Sequence, residues 1–214
     1  MATRTYHQSR RAEQQGETRQ RIVEAIVDLH REVGPARTTI SAIAERAGVE
    51  RLTVYRHFAD ESAMFQACSA HFATQVVPPD PAAWADITEP AARLRAALLA
   101  FYRYYRLGEA TLAHAYRDAP SLPALAAVLA PWADFTGAVR DGLLEGWGAR
   151  GAARARLGAA ISHALRFETW QSLACAEGLK DPEAAELMVT LAQAAARALS
   201  RAPRASRSER PAAT

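Results

Sequence analysis

Residues 37–58, RTTISAIAERAGVERLTVYRHF, leave the chain little conformational freedom. Ile40, Ile43, Ala44 and Ala47 recur at helical spacing as one apolar stripe, and Thr39 stands where it can cap the helix that carries them. Gly48 then ends that helix, because glycine enters the left-handed conformation of a helix end without steric cost. Val49 is an apolar pin for the turn, and a second short helix, 50–57, starts at once. Val54 and Phe58, four apart, face inward and leave Arg51, Leu52, Thr53, Tyr55, Arg56 and His57 on the outer faces. Two short helices, a glycine turn and an outer surface of Arg, Thr, Tyr and His read as a DNA-binding helix-turn-helix.

The spacing T-x-x-x-I-A-x-x-A-G-V-x-x-x-T-x-Y-x-H-F, here Thr39, Ile43, Ala44, Ala47, Gly48, Val49, Thr53, Tyr55, His57 and Phe58, resembles the DNA-binding domain of the TetR family of bacterial transcriptional regulators. Two positions depart from it: Leu52 replaces the family's usual glycine, and Glu61 replaces a usual lysine and with it a phosphate contact. The resemblance implies a homodimer on double-stranded, palindromic operator DNA, usually a repressor, released by a small-molecule effector. The rival reading is an all-α ligand-binding or enzymatic protein whose helix-turn-helix no longer reads DNA. Within the motif, Thr39, Thr53, Tyr55 and His57 carry hydroxyl or ring N–H donors suited to phosphates, and Arg37 stands at its head. Arg51 and Arg56 can each pair both acceptors of a guanine, and Leu52 can meet a thymine methyl. Arg51 is the better reader, being nearer the helix end that enters the groove.

Alanine is abundant and no stretch sustains the alternation of a strand, so the fold class is all-α. The domains are expected as a polar, arginine-bearing disordered arm over 1–17, a helix-turn-helix domain over 18–59, a helical effector and dimerisation domain over 60–200, and a disordered tail over 201–214. Arg4, Arg10 and Arg11 of the arm are candidates for a minor groove. The first helix, 18–33, shows an apolar face of Ile22, Ala25, Ile26 and Leu29 and stops at Gly34-Pro35. Asp60 caps the next helix, which ends before Pro78. Further helices are expected over 88–107, closed by Gly108; over 109–119; from a Ser121 cap to 147, kinked or broken at Pro131; over 152–177; and over 183–199. The last two carry Leu157, Ile161, Ala164, Leu187, Leu191 and Ala195, which periodicity alone leaves open between a dimer surface and an internal core; their small residues, together with a likeness to the C-terminal pair of one TetR branch, favour the dimer surface.

Charge is uneven. Residues 1–57 hold ten arginines against seven acids, residues 58–200 twelve basic against fifteen acidic, and residues 201–214 four arginines against one glutamate. A positive end on an acidic body suits a protein that touches DNA with that end. Cys68 and Cys175 lack metal-ligand spacing, residues 1–20 form no signal peptide, and no apolar run approaches membrane-spanning length. A cytoplasmic protein with reduced thiols, no metal and no cofactor follows. No phosphate loop, nucleophile elbow or Cys/His cluster points to catalysis. Aromatic residues gather in the body instead. Phe101, Tyr105, Trp132, Phe135, Phe167 and Trp170, with His114 and His163 beside them, are the candidate lining of a pocket for a flat or hydrophobic molecule.

Overall fold

The computed structural model describes residues 2–197, with side chains from Arg10 onward, so the expected tail over 201–214 and the side chain of Arg4 lie outside the described residues. Ten helices and no strand are found among them: α1 (Ala2–Glu32), α2 (Ile40–Ala47), α3 (Arg51–His57), α4 (Glu61–Gln75), the one-turn α5 (Ala82–Ala85), α6 (Pro90–Asp118), α7 (Pro123–Leu143), α8 (Gly151–Ala164), the one-turn α9 (Phe167–Trp170) and α10 (Asp181–Ala196).

Two apolar clusters organise the chain. The first joins α1, α2, α3 and the first half of α4 through Ile22, Ile26, Ile43, Ala44, Val54, Phe58 and Cys68. Each large aliphatic side chain so buried contributes about 1.5–3 kcal/mol relative to exposure. The second is built on α6, which packs against α5, α7, α9 and α10, while α8 lies against α10 and α7. Leu94, Leu98, Phe101 and Tyr102 on α6 are fully buried, as are Leu157, Ile161 and Ala164 on α8 and Ala185 and Val189 on α10. Helix α4 belongs to both clusters, with Cys68 in the first and Phe72 packed on the second.

Several elements differ from the sequence reading, each for a physical reason. Residues 2–17, expected as a disordered arm, continue α1 as one helix. Helix α6 runs through Gly108, which was expected to end it. Gly108 serves close approach instead: a Cβ there would lie 2.6 Å from Cζ of Phe72. Helix α7 runs through Pro131 unbroken; Ala127, whose carbonyl loses its partner, and Pro131 itself are both exposed, so water can satisfy that carbonyl. Ser121 does not cap α7; its hydroxyl donates to the Asp118 carbonyl at 2.9 Å within a preceding turn. The long helix expected over 152–177 stops at Ala164. There the hydroxyls of Tyr102 and Tyr105 on α6 donate to the carbonyls of Ala164 and Leu165 at 3.1 and 2.5 Å, and Thr169 donates to the carbonyl of His163 at 2.6 Å. Side chains thus take over carbonyls that a continuing helix would have used. The segment Gln171–Ala176 then completes a wider turn before α10. Asp181 opens α10 but bonds outward, accepting from Arg106 at 2.6 and 2.8 Å and from Trp170 Nε1 at 3.0 Å.

The expected dimer surface is corrected in part. Leu157, Ile161 and Ala164 are 0% exposed within one chain and have no area left for a partner. Leu187 and Leu191 are 40% and 49% exposed, and Ala195 is half-buried.

Candidate functional site

The helix-turn-helix is held by its own backbone chemistry. Thr39 Oγ1 accepts from the Ala42 N–H at 3.1 Å, which leaves its hydroxyl proton free to donate outward. Gly48 is left-handed (φ 64, ψ 42), so its N–H reaches the Glu45 carbonyl at 3.2 Å while Val49 N–H reaches that of Ala44 at 2.9 Å. This double bond pattern fixes the angle at which α3 leaves α2. Val54 (0% exposed) and Phe58 (2%) bury the inner face of α3, and the Arg19 guanidinium lies 4.9 Å over the Phe58 ring.

With the inner face committed, the outer one is set. Arg51, Leu52, Tyr55 and Arg56 are exposed, and Thr53 and His57 are half-buried at its edge. Leu52 and Tyr55 stand 56% and 52% exposed one turn apart, an apolar pair that no other described residue covers. Arg46 of α2 is consumed by a two-pronged pair with Glu32 at 2.8 and 2.9 Å. Arg37 is exposed, and its Nε donates to the Val33 carbonyl at 2.8 Å, closing the end of α1. A cleft beside α3 is lined by Arg11, Arg19 and Arg21 of α1 together with Thr53, Arg56 and His57. The sequence reading placed Arg11 in an arm and overlooked Arg19 and Arg21. The visible signal was the four-residue recurrence of Arg11, Gln15 and Arg19, one face of a helix.

Between this head and the body lies a polar joint. Asp118 at the end of α6 is buried, accepts from the Ala36 N–H at 3.0 Å and pairs with Arg117 Nε at 2.7 Å. The Arg117 guanidinium holds its carboxyl below the usual carboxylate range. His114 Nδ1–H donates to the His30 carbonyl at 2.9 Å. His30 is buried against Phe65 and lies 3.4 Å from Cys68 Sγ; burial lowers its pKa to about 4 despite the opposing pull of Asp118. The same burial pushes the Cys68 thiol up to about 12. Asp118→Ala removes the acceptor for Ala36 and the ion-pair partner of Arg117. It should cost about 1–3 kcal/mol, or about 2–4 °C of Tm for each kcal/mol in a chain of this size. An unchanged melting curve would show that this joint does not hold the head.

Immediately behind the joint is an inner cavity of about 350 Å³ between α4, α6 and α7, bordered by His30, Cys68, Phe72, Tyr104, Leu112 and Phe135. An outer groove of about 540 Å³ lies past Trp132 and Tyr116, which line both, and is bordered by Arg140, Arg166 and Glu168. Of the residues read as pocket lining, Trp132 and Phe135 reach the inner cavity, and Tyr105, Trp132 and Phe167 the outer groove. Phe101 and Trp170 are 0% exposed core residues; Trp170 is held by Asp181 and by the Arg106 guanidinium 5.2 Å from its ring. His114 braces the joint, and His163 is exposed away from both spaces. Phe72 and Leu112, read only as helix-face residues or not singled out, are lining residues of the inner cavity.

Among the described residues no group of three or more His, Cys, Asp or Glu is placed to hold a metal ion. Both cysteines are free, Cys68 buried and Cys175 exposed. No single described helix is long and apolar enough to cross a membrane.

A helix-turn-helix head carried by a helical body with an apolar cavity defines the class: an all-α protein with an N-terminal helix-turn-helix domain. Residues 22–68 match the family described as bacterial regulatory proteins, tetR family. A TetR-like transcriptional regulator from Rhodococcus sp. RHA1 aligns at 21% identity over 82% of this chain and 93% of its own, with a TM-score of 0.60. A TetR-family regulator from Syntrophomonas wolfei aligns at 17% identity over 85% and 95%, TM-score 0.59. The multidrug binding protein EbrR, solved with imidazole, aligns at 22% identity over 81% and 88%, TM-score 0.54. No curated protein matches the sequence. The N-terminal domain is that of the TetR family, and the chain as a whole has the fold of TetR-like transcriptional regulators.

Proposed function

We propose that this protein is a cytoplasmic, non-enzymatic transcriptional repressor that binds a palindromic operator as a homodimer and is released by a small molecule in the inner cavity. The observation that carries the DNA reading is the exposed pair Leu52 and Tyr55 beside Arg51 and Arg56, on a helix whose inner face is fully committed. An adjacent apolar pair left in water beside two arginines on one helix face suits a surface that a partner covers. The flanking arginines make that partner a polyanion. Thr39, Thr53, Tyr55 and His57 position the helix on phosphates, while Arg51 and Leu52 read bases. Arg11, Arg19 and Arg21 extend the phosphate contact along α1.

The domain division supports a switch. A molecule in the inner cavity touches His30 of α1 and Cys68 of α4, two helices that build the head's apolar cluster, so filling it biases the angle between head and body. By linkage the operator must weaken effector binding by the same factor as the effector weakens operator binding, typically about 5- to 150-fold. The dimer forms through the outer faces of α8 and α10, where Leu187, Leu191 and Ala195 remain accessible.

The rival, a ligand-binding protein with a silent helix-turn-helix, is separated by a gel shift with DNA flanking the protein's own gene against random duplex. Specific binding that falls steeply with salt is the expected result. Equal affinity for both duplexes would favour the rival.

A further inference from the structure

The walls of the inner cavity restrict the charge of what can occupy it. Phe65, Phe72, Tyr104, Trp132, Phe135 and Leu112 make it apolar and largely aromatic, and no Asp, Glu, Lys or Arg side chain lines it. Burial shifts each titratable group on its wall, His30, Cys68, Tyr104 and Tyr116, toward the neutral form. Burial lowers His30 to about 4 and raises Cys68 and Tyr104 to about 12. Whatever removes charge from these side chains removes it from a ligand seated among them, because desolvation penalises the charged form of either. The carboxylate near enough to act on His30, Asp118, is already engaged by Arg117 and the Ala36 N–H, and its pull on His30 is smaller than the cost of burial. It would hold a buried ammonium no better. The outer groove differs, since Arg140, Arg166 and Glu168 border it.

The polar side chains on the wall include Ser69, Thr111, Tyr104 and Tyr116. The hydroxyls of Tyr102 and Tyr105 are spent on the Ala164 and Leu165 carbonyls. Tyr104, whose ring stacks on Trp132 at 4.8 Å, has no hydrogen-bond partner for its hydroxyl among the described residues, and it lines the cavity. A phenol in that position offers a proton to an acceptor on the ligand.

We infer that the effector of the inner cavity is an uncharged, flat, largely apolar molecule carrying a hydrogen-bond acceptor for Tyr104, and that organic cations and carboxylates are excluded from it. This rests on the reading of that cavity as the effector site. At about 350 Å³ the space is at the small end of ligand pockets, which suits a compound of a few rings.

Three probes of one shape test the charge rule: 2-naphthol, 2-naphthoate and 2-naphthylmethylammonium, titrated into the full-length protein at pH 7 with tryptophan fluorescence as readout. 2-Naphthol should bind at least about tenfold more tightly than either ion. Leu112→Phe and Ala115→Phe, which narrow the cavity, should abolish that binding, with circular dichroism and the melting curve reporting that each variant is folded. Thr111→Asp places a carboxylate on the wall and should raise affinity for the ammonium at least about tenfold. An ion that binds wild type as well as 2-naphthol does, and loses binding in Leu112→Phe, overturns the charge rule while upholding the cavity as the site. Binding of 2-naphthol that survives both narrowing variants, or no binding by any of the three probes, overturns the cavity as the site, and the charge rule falls with it.

Discussion

Arg51→Ala should weaken binding to the cognate operator by about 1–3 kcal/mol, roughly 5- to 150-fold, and relax base preference at one position in each half-site. The expectation rests on where α3 presents its cations. Arg51 is the first residue of the helix and exposed, three residues before Val54, which anchors the helix in the head core. Arg46, the nearest arginine on α2, is tied to Glu32 and so is not free to compete for a base. A guanidinium at the helix end expected to enter the major groove can pair both acceptors of guanine, whereas Arg56 lies at the other end beside the arginines of α1, where a phosphate contact is expected. Tyr55→Phe deletes only a phosphate donor and should therefore weaken all duplexes alike. Both variants are compared on a library of single-base operator changes. Uniform loss by Arg51→Ala, with its base preferences intact, would refute the division into reader and positioner.

The parts of the molecule that were legible in sequence are those whose cause is local. The Thr39 cap, the left-handed Gly48 and the Asp60 cap, whose carboxylate accepts from Ala63 N–H at 2.8 Å, depend on residues within four positions of one another. The core faces of α1, α2 and α3 follow from periodicity and agree with Ile22, Ile43 and Val54 being buried. The failures involve distant partners. Gly108 looks like a helix end until Phe72, thirty-six residues earlier in the chain, arrives against it. Ala164 looks mid-helix until two tyrosines from α6 bond its last carbonyls. Phe101 and Trp170 belong to the core and Trp132 and Phe135 to the cavity, because side-chain type does not reveal which face of a helix meets another helix and which meets a void. The dimer reading failed at Leu157, Ile161 and Ala164 for the same reason: an alanine-rich stripe that permits close approach serves a helix of the same chain as well as one of a twin.

Leu187→Arg combined with Leu191→Arg should convert a dimer to monomer and cut operator affinity by about 10²- to 10⁴-fold, the gain that linking two half-site contacts provides. These two residues lie one turn apart on α10, 40% and 49% exposed, while Ala184, Ala185, Met188, Val189 and Ala192 turn the opposite face of the helix into the core. Ala155, Ala159 and Ser162 on α8 are likewise exposed, so small residues of one helix and leucines of the other can meet their copies across a two-fold axis. An arginine at either leucine is harmless to the monomer, where it reaches water, and costly only in an interface that desolvates it. Ile161→Arg provides the contrast: its side chain is 0% exposed, and the charge would enter the chain's own core and unfold the body. Sedimentation and circular dichroism together separate the cases. The leucine variant should be a folded monomer at micromolar concentration, the isoleucine variant an unfolded or aggregated chain. A leucine double variant that remains dimeric would remove α10 from the interface, and one that unfolds would place these leucines in the core instead.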